Sequence, residues 1–227
     1  MGKRIDVSPR IIPLTNDCRP GLAGYTNPML PDRISIALKE WAVVQRSLLE
    51  QHQIILIRKG GIAEESGDFD LRAKQFLILP GYEHETERLG DIQPCFEQWL
   101  REEEQQKPRS TEIRFECACD VEEIIRLDDR DKLIELSSQH IWSRQFIDGR
   151  FDWEPYKPVS VLVVRAYRLP EPVFAPYLRE YGGCRSWIKL ESPISTRGAV
   201  TVISTHGSFE RRHAITTKYL NQSSATV

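Results

Sequence analysis

A chain of 227 residues, 40% hydrophobic and 28% charged, has the length of one large domain, or of one domain with decorated ends, and enough apolar residues for a core. With 31 basic against 33 acidic residues and a net charge of -2, it excludes a generally basic nucleic-acid-binding surface, so any such contact must come from a local patch. No apolar run approaches the ~20 residues that span a bilayer. The start, Met1 to Asp6, lacks a signal-peptide core and is a poor myristoylation site.

Residues 1–33 carry Pro9, Pro13, Pro20, Pro28 and Pro31 with Gly21 and Gly24. Prolines at that density exclude helix and central strand, so a proline-rich N-terminal arm is expected. One domain is then expected over 34–220, with a flexible tail at 221–227. From Ile34 to Gln51 the residues Ile34, Ala37, Leu38, Trp41, Val44, Leu48 and Leu49 share a helical face and predict an amphipathic helix. Short apolar strands follow at Gln53–Arg58 and Gln75–Leu79, joined by a polar link ending in Gly67-Asp68. A helix is predicted from Asp91 to Gln106, with Pro94 in its first turn and Pro108 beyond its end. Ile113, Phe115, Cys117, Cys119 and Val121 then alternate with polar or small residues, which predicts a strand with one face in the core.

Two short helices are expected at Asp129–Leu136 and Gln139–Ile147, the second ended by Gly149. Val159–Leu169, between Pro158 and Pro170, is the strongest strand. Arg185–Leu190 and Ala199–Ser204 are further strands, and Ser208 caps a last helix through Leu220. This order predicts a mixed sheet or small barrel with inserted helices. A doubly wound dinucleotide fold is excluded by the absence of a strand, glycine-rich loop and helix unit.

The five cysteines, Cys18, Cys95, Cys117, Cys119 and Cys184, are odd in number and irregular in spacing. Cys117-Ala118-Cys119 is too tight for a usual zinc knuckle, and no second pair completes four ligands. Structural cysteines in a reducing compartment, the cytoplasm, are expected.

Polar groups gather at two strand ends: Arg58-Lys59-Gly60-Gly61-Ile62, and Tyr82-Glu83-His84 after Phe76-Leu77-Ile78-Leu79-Pro80. Two cations beside glycines suit an anion, although Walker spacing is missing. His84, with Glu83, Glu85 and Glu87, is expected to be a hydrogen-bonding pocket residue; no motif for a metal or other cofactor accompanies it. Asp68, Asp70, Leu71 and Arg72 lack the lysine of a nuclease set, and neither Cys184 nor Ser186 has a helper for nucleophilic attack. Trp41, Tyr82, Trp142 and Trp187 flank these segments. Trp187 alternates with Ile188 and is expected on an exposed face with Arg185 and Lys189, where an aromatic ring among cations suits base stacking.

At Lys39-Glu40-Trp41, Arg58-Lys59-Gly60-Gly61-Ile62, Phe76 to His84 and Tyr181 to Leu190 the chain resembles a bacterial family described only as a domain of unknown function (DUF1802-type), over about residues 33–215. That resemblance implies a role near DNA restriction or modification. More distantly, the element order is similar to the PUA-like superfamily, which includes ASCH, EVE and YTH domains. The ASCH signature G-x-K-x-x-E-x-R, laid on residues 51–58, is met only by Arg58; Gln51, Gln53 and Leu56 stand at the other positions.

The expected protein is therefore α+β, a mixed-sheet small β-barrel of PUA-like type with inserted helices. Its expected function is non-enzymatic binding of DNA or RNA, including modified bases, with no catalytic residues, cofactor, metal or membrane contact. Arg58, Lys59, Gly60, Tyr82, His84 and Trp142 would line the pocket, assisted by Arg185, Trp187 and Lys189. Two alternatives stand beside it: a metal-dependent nucleic-acid or nucleotide hydrolase using His84, and a structural protein that meets a protein partner through its proline-rich arm.

Overall fold

The computed structural model describes residues 30–59, 69–82, 86–183, 185–203 and 206–221. Strand β1 (Arg33–Trp41) passes directly into helix α1 (Ala42–Leu49), followed by β2 (Ile55–Arg58) and β3 (Gln75–Gly81). Short 3-10 segments at Thr86–Asp91 and Pro94–Phe96 lead to α2 (Glu97–Gln105). Then come β4 (Glu112–Leu127), α3 (Arg130–Glu135), α4 (Arg144–Asp152), β5 (Val159–Pro176), β6 (Trp187–Ser195), β7 (Val200–Thr201) and α5 (His206–Asn221).

Among the described residues the strands form one seven-stranded sheet in the order β2-β5-β4-β3-β1-β6, with β7 also on β5. It is mixed, because β1 and β3 run parallel while the other pairs are antiparallel. Among the described residues no strand pair joins β2 or β7 to β6, so the sheet is open where a closed small barrel was expected. It is nonetheless strongly curled. Arg58, at the end of β2, reaches across the fold to β1, where its Nη1 donates to Lys39 O and to Glu40 Oε2, both at 3.1 Å.

Curling gives the sheet two apolar cores, and consecutive residues of one strand serve opposite ones. Leu38, Ile78, Cys119 and Trp187 join the larger core, which also takes in residues of α1, α3, α4 and α5. Ala37, Leu77, Ala118 and Ile188 join the smaller core, with Phe115, Tyr167 and Leu190. This explains the principal misreading of the sequence. Residues 34–41 form a strand, not the first half of a helix, because β1 lies between β3 and β6 and is buried on both faces. A strand buried on both sides loses its two-residue period, and its apolar positions then imitate a helical stripe.

The alternation read at Ile113 to Val121 is also interrupted. Phe115 pairs with Val173 and Cys117 with Arg168, and the skipped stretch of β5 contains Pro170 and Pro172. Proline has no N–H for the ladder. The irregularity turns β4 over, so that Ile113 and Phe115 face the smaller core while Cys117, Cys119 and Val121 face the larger one. β5 consequently runs on to Pro176 instead of closing at Leu169. The predicted arm lies outside the described residues except at its end, where Leu30 packs on the smaller core and Asp32 pairs with Arg197 at 2.7 Å. Among the described residues no helix is long and apolar enough to cross a membrane.

Just past α1, Gln51 has φ 60, the left-handed region that glycine occupies most readily. Its carbonyl accepts from Arg212 Nη1 of α5 at 2.6 Å, so the conformation is tied into the tertiary structure. Gln51→Gly is expected to stabilise the protein by about 0.5–1 kcal/mol, relief of the left-handed penalty outweighing the added freedom of the unfolded chain. Urea denaturation measures this; an unchanged or lower midpoint would contradict it.

Candidate functional site

A cavity lies between the 3-10 segment ending at Asp91 and helix α4, and its geometry starts from the cap of that helix. Ser143 is the N-cap: its Oγ accepts from Phe146 N at 3.2 Å and donates to Gly90 O at 2.6 Å. Its own N–H donates to Asp91 O at 2.9 Å, which fastens the helix start to the 3-10 segment. Behind this junction Gln93 Nε2 donates to the carbonyls of Ser137, His140 and Trp142. His140 is fully buried; its Nδ1 accepts from Trp142 N at 3.2 Å, which leaves Nε2 to donate to Leu133 O at 2.9 Å. That arrangement selects one neutral tautomer, and burial holds the imidazole below its ordinary pKa.

Aromatic rings are stacked on this base. Trp41, at the end of β1, meets Trp142 edge to face at 5.2 Å. Trp142 lies parallel to Phe146 at 3.7 Å, and the Arg150 guanidinium sits 4.8 Å from the Phe146 centroid. The column opens into a cavity of about 330 Å³ lined by Asp91, Gln145, Phe146, Gly149, Arg150 and Trp153. Asp91 is buried at its edge, while Trp153 is 40% exposed at its mouth. Tyr156, 77% exposed, continues the surface beyond; its hydroxyl donates to Glu154 Oε1, and Lys157 Nζ lies 5.7 Å from its ring.

The basic pair read from the sequence lies behind this cavity. Lys59 is buried, and its Nζ donates to Arg150 O at 2.8 Å and Phe151 O at 3.4 Å. It therefore holds the carbonyl end of α4 at the residue that supplies the guanidinium. Burial pushes its pKa down, against an opposing pull from Glu154. Arg58 is engaged with Glu40 and Lys39, and its guanidinium also lies 5.6 Å from the Phe69 ring. Leu56 is wholly buried, and the carboxylate that meets Arg58 is Glu40 of β1. Gln53 uses its amide between Ile55 O and Ile141 N.

The remaining expected residues are dispersed. Tyr82, half-buried past β3, has Lys107 Nζ 5.8 Å from its ring. Gly60 and His84 lie outside the described residues. Arg185 and Lys189 are exposed, as expected, but Trp187 is not: it is 8% exposed. The Phe69–Asp70 segment covers it, with Phe69 and Phe76 against the indole at 5.9 and 5.2 Å and Asp70 O accepting from its Nε1 at 2.8 Å. Trp142 belongs to the column as a buried ring, 2% exposed. Asp91, Gln145, Phe146, Gly149, Arg150 and Trp153 were not read from the sequence as site residues. The available signal was Gly149 itself, which lies inside α4 and does not end it.

With this geometry in place, the chain can be set beside known proteins. It is an α+β protein with an open, curled mixed sheet and a cavity on one inserted helix. The family model described as Domain of unknown function (DUF1802) matches residues 37–214, and the chain belongs to that family. Similar solved structures are of the ASCH protein from Zymomonas mobilis. One variant of it is 11% identical, covering 69% of this chain and 89% of that one at a TM-score of 0.39. A second variant, also 11% identical, covers 82% and 97% at 0.38. The form without a stated substitution, 9% identical, covers 79% and 93% at 0.35. No curated protein matches the chain.

Two outcomes follow from these contacts. Lys59→Met keeps the aliphatic stem but leaves the α4 carbonyls without their donor, and is expected to cost about 1–3 kcal/mol in urea unfolding. His140 and His52 are both held below the ordinary value of about 6.5 by burial. As pH falls below that value the unfolded chain takes up protons that the native chain does not, so stability declines with acidification. Urea midpoints at about pH 7.5 and about pH 5.5 should show this drop, and His140→Gln should reduce it.

Proposed function

We propose that this protein is a non-enzymatic nucleic-acid-binding module that receives a base in the cavity at the open end of the Trp41–Trp142–Phe146–Arg150 column. The column supports the reading because it presents a guanidinium plane, backed by packed rings, to a space that also has an exposed indole at its mouth. Planar cations and aromatic faces are what base stacking requires, and they act without regard to overall charge. Phe146 is already covered by Trp142 and Arg150, so its ring is not the stacking surface, and the proposal sets the base beside Arg150 and Trp153 at the cavity.

In this reading Tyr156 and Lys157 serve the neighbouring nucleotide, and the exposed Arg185 and Lys189 meet the backbone. Arg58 and Lys59 act from within, holding the scaffold and α4. A modified base as ligand, and a setting in restriction or modification, belong to the same proposal and rest on the family resemblance. The curled sheet is the proposal's counterpart of the PUA-like barrel, and the cytoplasm its compartment.

Fluorescence anisotropy with labelled single- and double-stranded DNA and RNA, modified and unmodified, across a salt series tests it. Trp153→Ala and Arg150→Ala are each expected to weaken binding about tenfold or more, as loss of a stacking partner should. Affinity unchanged in both variants would overturn this site.

A further inference from the structure

We infer that the cavity on α4 reads guanine and that Gly149 is the residue that keeps it open. The inference rests on the nucleic-acid reading above and names the base.

A space of about 330 Å³ lies at the small end of ligand pockets and has room for one base. Its polar lining is specific. Asp91, buried at the edge, offers only acceptors when ionised, and its roughly four lone-pair sites allow it to keep contacts inside the protein while accepting from a ligand. Gln145 provides an amide beside it. A Cβ at Gly90 would approach the Gln145 amide oxygen to 3.0 Å, so the glycine lets this side chain lie against the backbone next to Asp91.

A carboxylate is best matched by an edge with two neighbouring N–H donors. Guanine presents that pair at N1 and N2, with the O6 acceptor adjacent for an amide or guanidinium N–H. Adenine and cytosine each place a ring acceptor next to their amino group, where it would face the carboxylate. Uracil and thymine offer a single donor between two acceptors.

Gly149 supplies the second observation. It lies within α4, where glycine is the poorest helix former after proline, and a Cβ built on it would meet no atom of the described residues within 4 Å. Among the described residues no packing contact therefore calls for glycine there. What a side chain at this position would occupy is the cavity that Gly149 lines together with Gln145 and Trp153, its neighbours one helical turn to either side.

Calorimetric titration of the full chain with guanosine, adenosine, cytidine and uridine monophosphates tests the base, with anisotropy on oligonucleotides run in parallel. Guanosine monophosphate is expected to bind about tenfold tighter than the others, and Asp91→Asn, which exchanges an acceptor for a donor, to remove that preference. Gly149→Ala should raise the thermal midpoint. Gly149→Leu, folded by circular dichroism, should lose guanosine monophosphate; Gly149→Met replaces it if the leucine variant does not fold. Equal affinities for the four nucleotides, or undiminished binding by the folded bulky variant, would overturn the inference. If oligonucleotides still bind in those cases, the broader reading survives. If wild type binds neither oligonucleotide nor nucleotide, both fall together.

Discussion

The structure depends on one contact across its curl: the Arg58 guanidinium on the Glu40 carboxylate. The two residues stand on β2 and β1, with β5, β4 and β3 between them in the sheet, and their side chains are 15% and 5% exposed. The contact does in side-chain chemistry what a closed ladder would do in backbone chemistry. Arg58 also donates to Lys39 O, and Glu40 accepts from Trp41 N at 2.9 Å, so both charges are hydrogen-bonded beyond each other. That matters because a buried ion pair repays its desolvation only when its remaining hydrogen-bonding capacity is met, and a partner left alone is worse by about 3–5 kcal/mol. The pair thereby fixes the end of β1, and so fixes Trp41, the first ring of the aromatic column.

From that point the order of support runs outward. Trp41 positions Trp142, Trp142 positions Phe146, and Phe146 carries the Arg150 guanidinium. Lys59, adjacent to Arg58, closes the other side by holding the carbonyl end of α4. The glycine-flanked basic pair that stood out in the sequence thus supports the candidate site from behind. A ligand-facing cation and a cation satisfying carbonyls have the same letters; burial and donor geometry distinguish them, and neither is written in residue order.

How far the fold was legible follows the same division. β2, β3 and the first part of β5 were readable because short apolar runs between turn signals are informative when both faces are buried. β1 was not, since its apolar residues serve two cores at once and mimic a helix. The alternation of β4 was read as one face because nothing in residues 113–121 announces the irregularity; its cause, Pro170 and Pro172, lies on the partner strand. Trp187 was correctly placed opposite Ile188, but the segment that covers it comes from residues 69–70, far away in the chain. The cavity was hidden for a related reason. Gly149 looked like a helix terminator, and only the structure shows a helix continuing through it with no atom of the described residues within 4 Å of a built Cβ.

The position of β1 also has a consequence for how the molecule is made. Arg33 pairs with Ser195 and Leu38 with Trp187 on one side, while Ala37 to Trp41 pair with Leu77 to Gly81 on the other. During synthesis the first strand can acquire its β3 neighbour early, yet its second edge waits until β6 has left the ribosome. Non-local pairing of this kind slows folding and prolongs the exposure of an unsatisfied edge. Arg33 and Lys39 lie on that waiting strand, and their charges discourage a foreign strand from pairing with it until β6 arrives.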